Sequence, residues 1–328
     1  MASVTSADVA REAGVSRTTV SYVLNDTPGV SVSAATRERI RAAAARLGYA
    51  PSAAARTLRR GRSDLVVAVL PDWPTGPVID ALLDHLTDVL ATRGLFVLVH
   101  HHRDSRDLAD LWRAVTPRAV VGLAPFAPAD VAAMQRAGIQ VVGSREPAGD
   151  GTPADGDGFD RSQRGIGALQ VEHLAAAGHT RVAVATTGDP RLRRFADARW
   201  AGAREACRAG GLAEPVRATV RDDEPATDVV AAWRAAGVTA VAAYNDEVAL
   251  AVLAGARGAR LAVPGDLAVI GVDDAPAARV SAPPLTTVAQ PVDAQAEHLA
   301  AEVIAALDGV EPPPFPRDPA YVVVRDSA

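Results

Sequence analysis

The sequence predicts an α/β protein: a small all-α helix-turn-helix head, then a body of two doubly wound parallel-sheet subdomains. Three observations predict it. From Leu65 to Val272, strand-length apolar runs alternate with helix-length amphipathic segments, the pattern of parallel sheets covered on both faces. Charge divides the chain, since residues 1–62 carry ten Arg against four acids, a net +6, and residues 63–328 carry a net −11. The length of 328 residues suits two or three domains, with a core large enough to need no staple.

Composition excludes several chemistries. Cys207 is the only cysteine, so there is no disulfide framework and no cysteine zinc site. There is no lysine, which removes a P-loop lysine, Schiff-base chemistry and lysine general bases. The longest apolar runs, such as 65–70, fall far short of the ~18 residues of a membrane span. Asp8, Arg11 and Glu12 interrupt the start, so no signal peptide is evident there. The expectation from these features is a cytoplasmic chain with no membrane partner. A basic head on an acidic body is the layout of a polyanion-binding module joined to something else.

Residues 5–24 read as two short helices around a tight turn. Thr5 to Asp8 resembles a capping box, Gly14 ends the first helix, and Ser16 caps the second. In the second helix Val20, Val23 and Leu24 share an inward face, while Arg17, Thr18, Ser21 and Tyr22 share a hydrogen-bonding outer face. Such a donor-bearing short helix suits the major groove. Ser33 caps a third helix, 34–47, with Ile40, Ala44 and Leu47 as its buried stripe and Gly48 as its stop.

The ordered series Asp8-Val9-Ala10, Ala13-Gly14-Val15-Ser16, Thr19-Val20-Ser21, Val23-Leu24-Asn25, Thr36 to Arg39 and Leu47-Gly48-Tyr49 resembles the DNA-binding headpiece of the LacI/GalR family of bacterial transcription regulators. The loop Val30-Ser31-Val32 is slightly longer than usual there. The resemblance implies that Arg17, Thr18 and Tyr22 read bases, Arg17 by a bidentate contact to guanine. It implies that Ser16, Thr19, Ser21 and Asn25 position the protein on phosphates.

Pro51 bars the third helix from continuing. Ser52 to Gly61, with three alanines, then reads as a short helix that is marginal alone in water and orders on DNA. In the family this is the hinge helix, paired with its copy in the minor groove. Leu58 matches the wedging leucine there, with Ala55 beside it, and such a wedge kinks the duplex. The alternative is a basic solvated linker.

The body reads as strands at 65–70, 95–100, 119–123, 140–143, 182–186, 240–244, 268–272 and 320–324. Helices fall at 78–93, 129–137, 162–177, 199–209, 226–236 and 247–256, and 103–117 looks short for a full helix-turn unit. The break near 149–158 divides two subdomains, with a ligand cleft beyond the carboxyl ends of the strands. Residues 1–50 are therefore the headpiece, 51–62 the hinge and 63–328 the core. The first subdomain takes about 63–158 plus 290–311, and the second about 159–289 plus 312–328.

Glu172-His173-Leu174 with Gly178-His179, Asn245-Asp246, Val263 to Leu267, Ile270 to Asp274 and Leu285 to Val288 with Gln290-Pro291 are similar to the family's periplasmic-binding-protein-like core. By position, Arg193, Arg199, Asn245, Asp246 and Asp273 match effector contacts. Asp160, after the crossover, and Asp72, at the end of the first strand, complete the expected set. Carboxylates accept from hydroxyls and Arg donates a planar fork, so this set suits a small polar, sugar-like effector. Each residue has an alternative reading as a cleft-edge salt bridge or strand-end cap. The family's Asn-Pro-Phe stretch is replaced by Trp73-Pro74-Thr75-Gly76-Pro77, and Asp223 stands where relatives often place a stacking aromatic. Trp73 is open to either a platform or a packing role.

Other motifs carry less. His100 to His102 with Asp104 puts at most two imidazoles on one strand face, so no metal is expected. Gly165-Ile166-Gly167 lacks a strand before it, there is no nucleophile elbow, and His173 and His179 read as structural. No cofactor and no catalytic constellation are expected. The reading is a sequence-specific repressor, a homodimer on a pseudo-palindromic double-stranded operator, controlled by the effector. The alternative is an effector-independent architectural or global DNA-binding regulator.

Overall fold

The structure, a computed structural model, describes residues 4–25, 29–50, 63–103, 108–143, 156–314 and 320–328, with 156–160 described in backbone only. The head holds α1 (Ser6–Ala13), α2 (Arg17–Leu24) and α3 (Ala34–Leu47). The Asp8 carboxylate accepts from Thr5 N at 3.0 Å and Thr5 Oγ1 at 2.7 Å, closing the start of α1. Gly14 ends it at φ 66°, a left-handed conformation that a side chain would strain. Ser16 Oγ accepts from the Thr19 N–H at 3.0 Å and caps α2, and Ser33 does the same for α3. Val9, Ala13, Val20, Val23, Ile40 and Ala43 close the core between the three helices. Arg39 Nε donates to the Ala13 carbonyl at 3.1 Å, tying α3 to the end of α1.

The first sheet holds β1 (Leu65–Leu70), β2 (Phe96–His101), β3 (Ala119–Gly122) and β4 (Gln140–Val142), in order β2-β1-β3-β4 and all parallel. Its helices are α4 (Pro77–Ala91), α5 (Leu108–Val115) and α6 (Pro128–Arg136). Strand periodicity sends Val66 and Val121 to one face, against Leu82, Leu86 and Leu90 of α4. Val67, Val69 and Val120 go to the other, against Leu108, Trp112 and Met134. Burial of Leu108 and Trp112, four residues apart, makes α5 a helix in its own right, where the sequence looks short for one.

The second sheet holds β5 (Val182–Thr187), β6 (Val216–Val220), β7 (Ala240–Ala243), β8 (Ala268–Val272), β9 (Thr286–Ala289) and β10 (Tyr321–Val323). Its order is β10-β9-β8-β7-β5-β6, with β10 antiparallel to β9 and the remaining pairs parallel. Its helices are α7 (Gly156–Ala176), α8 (Arg193–Ala209), α9 (Thr227–Ala235), α10 (Asp246–Gly258) and α11 (Pro276–Val280). After β9 the chain crosses back, and α12 (Val292–Asp308) packs Ala296, Ala300 and Val303 on the first sheet beside α4. Both sheets are thus doubly wound, and the predicted fold class is the observed one.

Helix α8 begins at Arg193, not Arg199, so Arg199 sits well inside it. A Cβ on Gly167 would lie 2.0 Å from the Arg199 carbonyl oxygen, and one on Gly202 1.9 Å from that of Arg164. Helices α7 and α8 therefore cross backbone on backbone, and that crossing fixes the depth of Arg199. No helix among the described residues is long and apolar enough to cross a membrane.

Candidate functional site

The head presents one side of α2 outward. Arg17 and Thr18 are exposed in its first turn, and Tyr22 is 38% exposed one turn on. Ser16 and Thr19 are engaged with each other, their hydroxyls 2.8 Å apart as part of the cap. Asn25 donates from Nδ2 to the Ser21 carbonyl at 2.6 Å and to Ser21 Oγ at 3.3 Å, which braces the last turn of α2. The structure thus brings Ser16, Arg17, Thr18, Thr19, Ser21, Tyr22 and Asn25 onto one short helix and its caps. Ala55 and Leu58 lie outside the described residues.

The second set gathers at the carboxyl ends of the strands. Arg199 is only 7% exposed. Its Nε donates to Gln163 Oε1 at 2.8 Å, its Nη1 donates to the Tyr244 carbonyl, and its guanidinium lies 4.7 Å from the Tyr244 ring centre. Burial pushes the Tyr244 hydroxyl up to about 12, with Arg199 opposing, so the ring stays neutral.

Asp273 follows β8 at φ 108° and Asp274 follows at φ 49°, both unusual for residues with a side chain. The Asp273 N–H donates to Val288 at 2.8 Å, and its carboxylate accepts from Gln290 Nε2 at 2.9 Å. Burial raises the Asp273 carboxyl above its ordinary range, while Arg199 and Gln290 pull it back. Arg199 and Asp273 are thus two desolvated groups of opposite charge at the strand ends, each braced by its own partners, Gln163 and the Tyr244 carbonyl for the guanidinium and Gln290 for the carboxylate. Asp274 accepts from Arg325 and, at 2.9 Å, from Arg279, and holds the C-terminal segment.

Asn245 is half-buried, and its Oδ1 caps α10 by accepting from the Val248 N–H at 3.0 Å. Asp246 is turned inward and is 0% exposed. Its oxygens accept from Thr287 Oγ1 and the Ala275 N–H, each at 2.7 Å, and a Cβ on Gly271 would lie 2.1 Å from Oδ1. Burial raises its carboxyl to about 7. Asp246 therefore fastens the β8 and β9 ends together rather than lining the cleft. Arg193 opens α8 as an exposed residue, and the Asp72 carboxylate at the end of β1 stands 3.4 Å from Arg103. The backbone of Asp160 lies in α7, and its side chain is outside the description.

Sequence reasoning missed Gln163, Asp189, Arg191, Phe195, Tyr244 and Gln290. Asp189 before Pro190 is a readable helix-start signal. It opens a 3-10 turn, Pro190–Leu192, and clamps Arg191 through Nη2 at 2.6 Å. Gln290 stands in the Gln290-Pro291 motif, which points to the family's core but not to this contact, and the other four carry no local signal. Among the described residues no group of three or more His, Cys, Asp or Glu could hold a metal ion.

Residues 5–52 match the family described as bacterial regulatory proteins, lacI family, and residues 171–328 match the periplasmic binding protein-like domain. The ribose operon repressor of Escherichia coli (strain K12) is 32% identical over 311 residues, covering 90% of this chain and 91% of that protein. The HTH-type transcriptional regulator CelR of Thermobifida fusca is 31% identical over 318 residues, covering 92% and 91%. The solved complex of the transcriptional regulator CelR with cellobiose is 26% identical, with a TM-score of 0.62 over 99% of this chain and 100% of that one. With a helix-turn-helix head, a doubly wound two-sheet body and relatives that match along almost its whole length, the chain belongs to the lacI family of bacterial regulatory proteins, DNA-binding transcriptional regulators rather than enzymes.

Proposed function

We infer that the chain is a repressor whose hold on its operator is set by a small saccharide in the cleft. The observation that carries this is Arg199, a guanidinium buried at the strand ends and held by Gln163 and the Tyr244 carbonyl. Asp273, held by Gln290 after β8, supplies a carboxylate at the same end of the sheet. Two such groups offer a donor and an acceptor to vicinal hydroxyls, which can donate and accept at once. Asn245 at the start of α10 and Asp72 at the end of β1 extend the set. Asp246 supports it from behind, and Asp160 and Arg193 stand at its margin. A ribose operon repressor and a cellobiose-bound regulator among the relatives support a sugar as the chemical class.

On this reading residues 1–50 are the DNA-binding headpiece, 51–62 the hinge and 63–328 the effector core. Two copies form a homodimer on a pseudo-palindromic site. Arg17, Thr18 and Tyr22 read bases, Ser16, Thr19, Ser21 and Asn25 set the register, and Ala55 and Leu58 enter the central minor groove. The effector acts through a difference in affinity for two subdomain arrangements.

Thermal melting against ribose, cellobiose, sugar phosphates and nucleosides tests the cleft. A ligand at about 100 times its Kd adds roughly 2.7 kcal/mol of stability. One class should raise the melting temperature of the parent and not of Asp273→Asn. A blank across the panel favours the effector-independent regulator.

A further inference from the structure

Two contacts reach across the mouth of the cleft. The rings of Trp73 and Phe195 meet edge to face, centroids 4.9 Å apart and planes at 80°. Beside them the Asp72 carboxylate lies 4.0 Å from an Arg191 nitrogen and 3.4 Å from Arg103 Nε. Asp72 and Trp73 follow β1 of the four-stranded sheet. Arg191 and Phe195 follow β5 of the six-stranded sheet, at the 3-10 turn and the first turn of α8.

The Arg191 side chain is already fixed before Asp72 meets it. Asp189 accepts from its main-chain N–H at 2.9 Å, its Nε at 3.0 Å and its Nη2 at 2.6 Å. An exposed ion pair is usually weak because two long side chains must be immobilised to form it. Here one partner is pre-ordered and Arg103 holds the other, so little further freedom is lost. The ring pair is half-buried and adds the edge-to-face attraction of aromatic quadrupoles to its burial.

We propose that Trp73–Phe195 and Asp72–Arg191 form a latch that holds the two sides of the cleft shut. The rings supply the contact that excludes water, and the ion pair at their edge sets the alignment. An effector enters only molecules whose latch is open, so its apparent affinity is reduced by the open fraction. A protein open in one molecule of ten binds about tenfold more weakly than an unlatched one. While the latch is shut, Phe195 engages the Trp73 ring, so that ring is not a free platform for a ligand. The consequence for affinity rests on the cleft being the effector site, whereas the contacts between the two sides are tested by distance measurements that need no sugar.

The test is pulsed electron resonance on the full chain with spin labels at Gln135→Cys in α6 and Asp228→Cys in α9, both exposed positions. Cys207 is buried and stays unlabelled. Dilution with unlabelled chain leaves one labelled copy per assembly. The parent should give one narrow distance distribution without sugar. Phe195→Leu should move the closed-to-open ratio roughly two- to tenfold toward longer, broader distances, and Arg191→Ala up to about fivefold in the same direction. High salt should mimic Arg191→Ala but not Phe195→Leu. A broad parent distribution, or a distribution unchanged in both variants, overturns the latch. Operator selection is read separately on unlabelled protein, so either failure is recognised for what it is.

Discussion

Gln290 Nε2 donates to the Asp273 carboxylate at 2.9 Å, and this bond ties the end of β8 to the point where the chain leaves the second sheet for α12. Loss of the donor leaves a partly desolvated carboxylate with less compensation. Gln290→Leu should lower stability by about 1–3 kcal/mol, read as an earlier urea midpoint at unchanged slope. Gln290→Glu should be more damaging at pH 8 than at pH 5, because two carboxylates side by side cannot both ionise cheaply. Equal losses at both pH values would contradict the pairing.

Asp246 gives a second pH signature. Its carboxyl is raised from an ordinary 3.8 to about 7 by burial, against hydrogen bonds from Thr287 and Ala275. Between these values the folded protein keeps a proton that the unfolded chain has released. Stability therefore falls as pH rises through the window and levels off above it. The shift corresponds to roughly 4 kcal/mol. Asp246→Asn cannot ionise, so it should start less stable near pH 5 and approach the parent by pH 8. Parallel melting profiles would remove Asp246 as the titrating group.

The α7–α8 crossing sets the position of Arg199. Gly202→Ala should push the helices apart at Arg164, lower stability by about 1–3 kcal/mol and weaken any sugar-dependent thermal shift. Gly210→Ala, at the end of the same helix, should leave the sugar shift intact. A Gly202→Ala protein with the parent's sugar response would separate the crossing from the site.

In the head, Arg17→Ala should cost about 1–3 kcal/mol on the selected duplex and relax preference at one base pair. Leu58→Ala should weaken that duplex by a few kcal/mol with less effect on random DNA. An unchanged sequence preference for Arg17→Ala, or equal losses on both duplexes for Leu58→Ala, would take these residues out of their roles.

Much of the fold is written locally. Ser16, Gly14 and Gly48 act as caps and stops because their chemistry acts within one turn, and 65–70 is a strand because six apolar residues in a row suit a strand covered on both faces. Strand β6 is harder to read, since Arg217 and Thr219 interrupt an edge strand that is half exposed. Helix α12 escapes because its alanine-rich stripe gives little contrast between faces. Asp273 is recognisable within the Ile270 to Asp274 motif, and Arg199 by its position in the family resemblance. The inward turn of Asp246 follows from Gly271 and Thr287 on other strands, and the clamp on Arg191 serves Asp72 far away in sequence. Those relationships exist only after the sheets assemble.

If the exposed Arg17–Thr18–Tyr22 face reads a duplex under control of the cleft, an unbiased selection from random double-stranded DNA with the full chain, with and without the sugar found by melting, should enrich one pseudo-palindromic sequence. Recovery should change with the sugar, and should not change with it in Asp273→Asn. Recovery of no preferred sequence under either condition would refute duplex reading by this face.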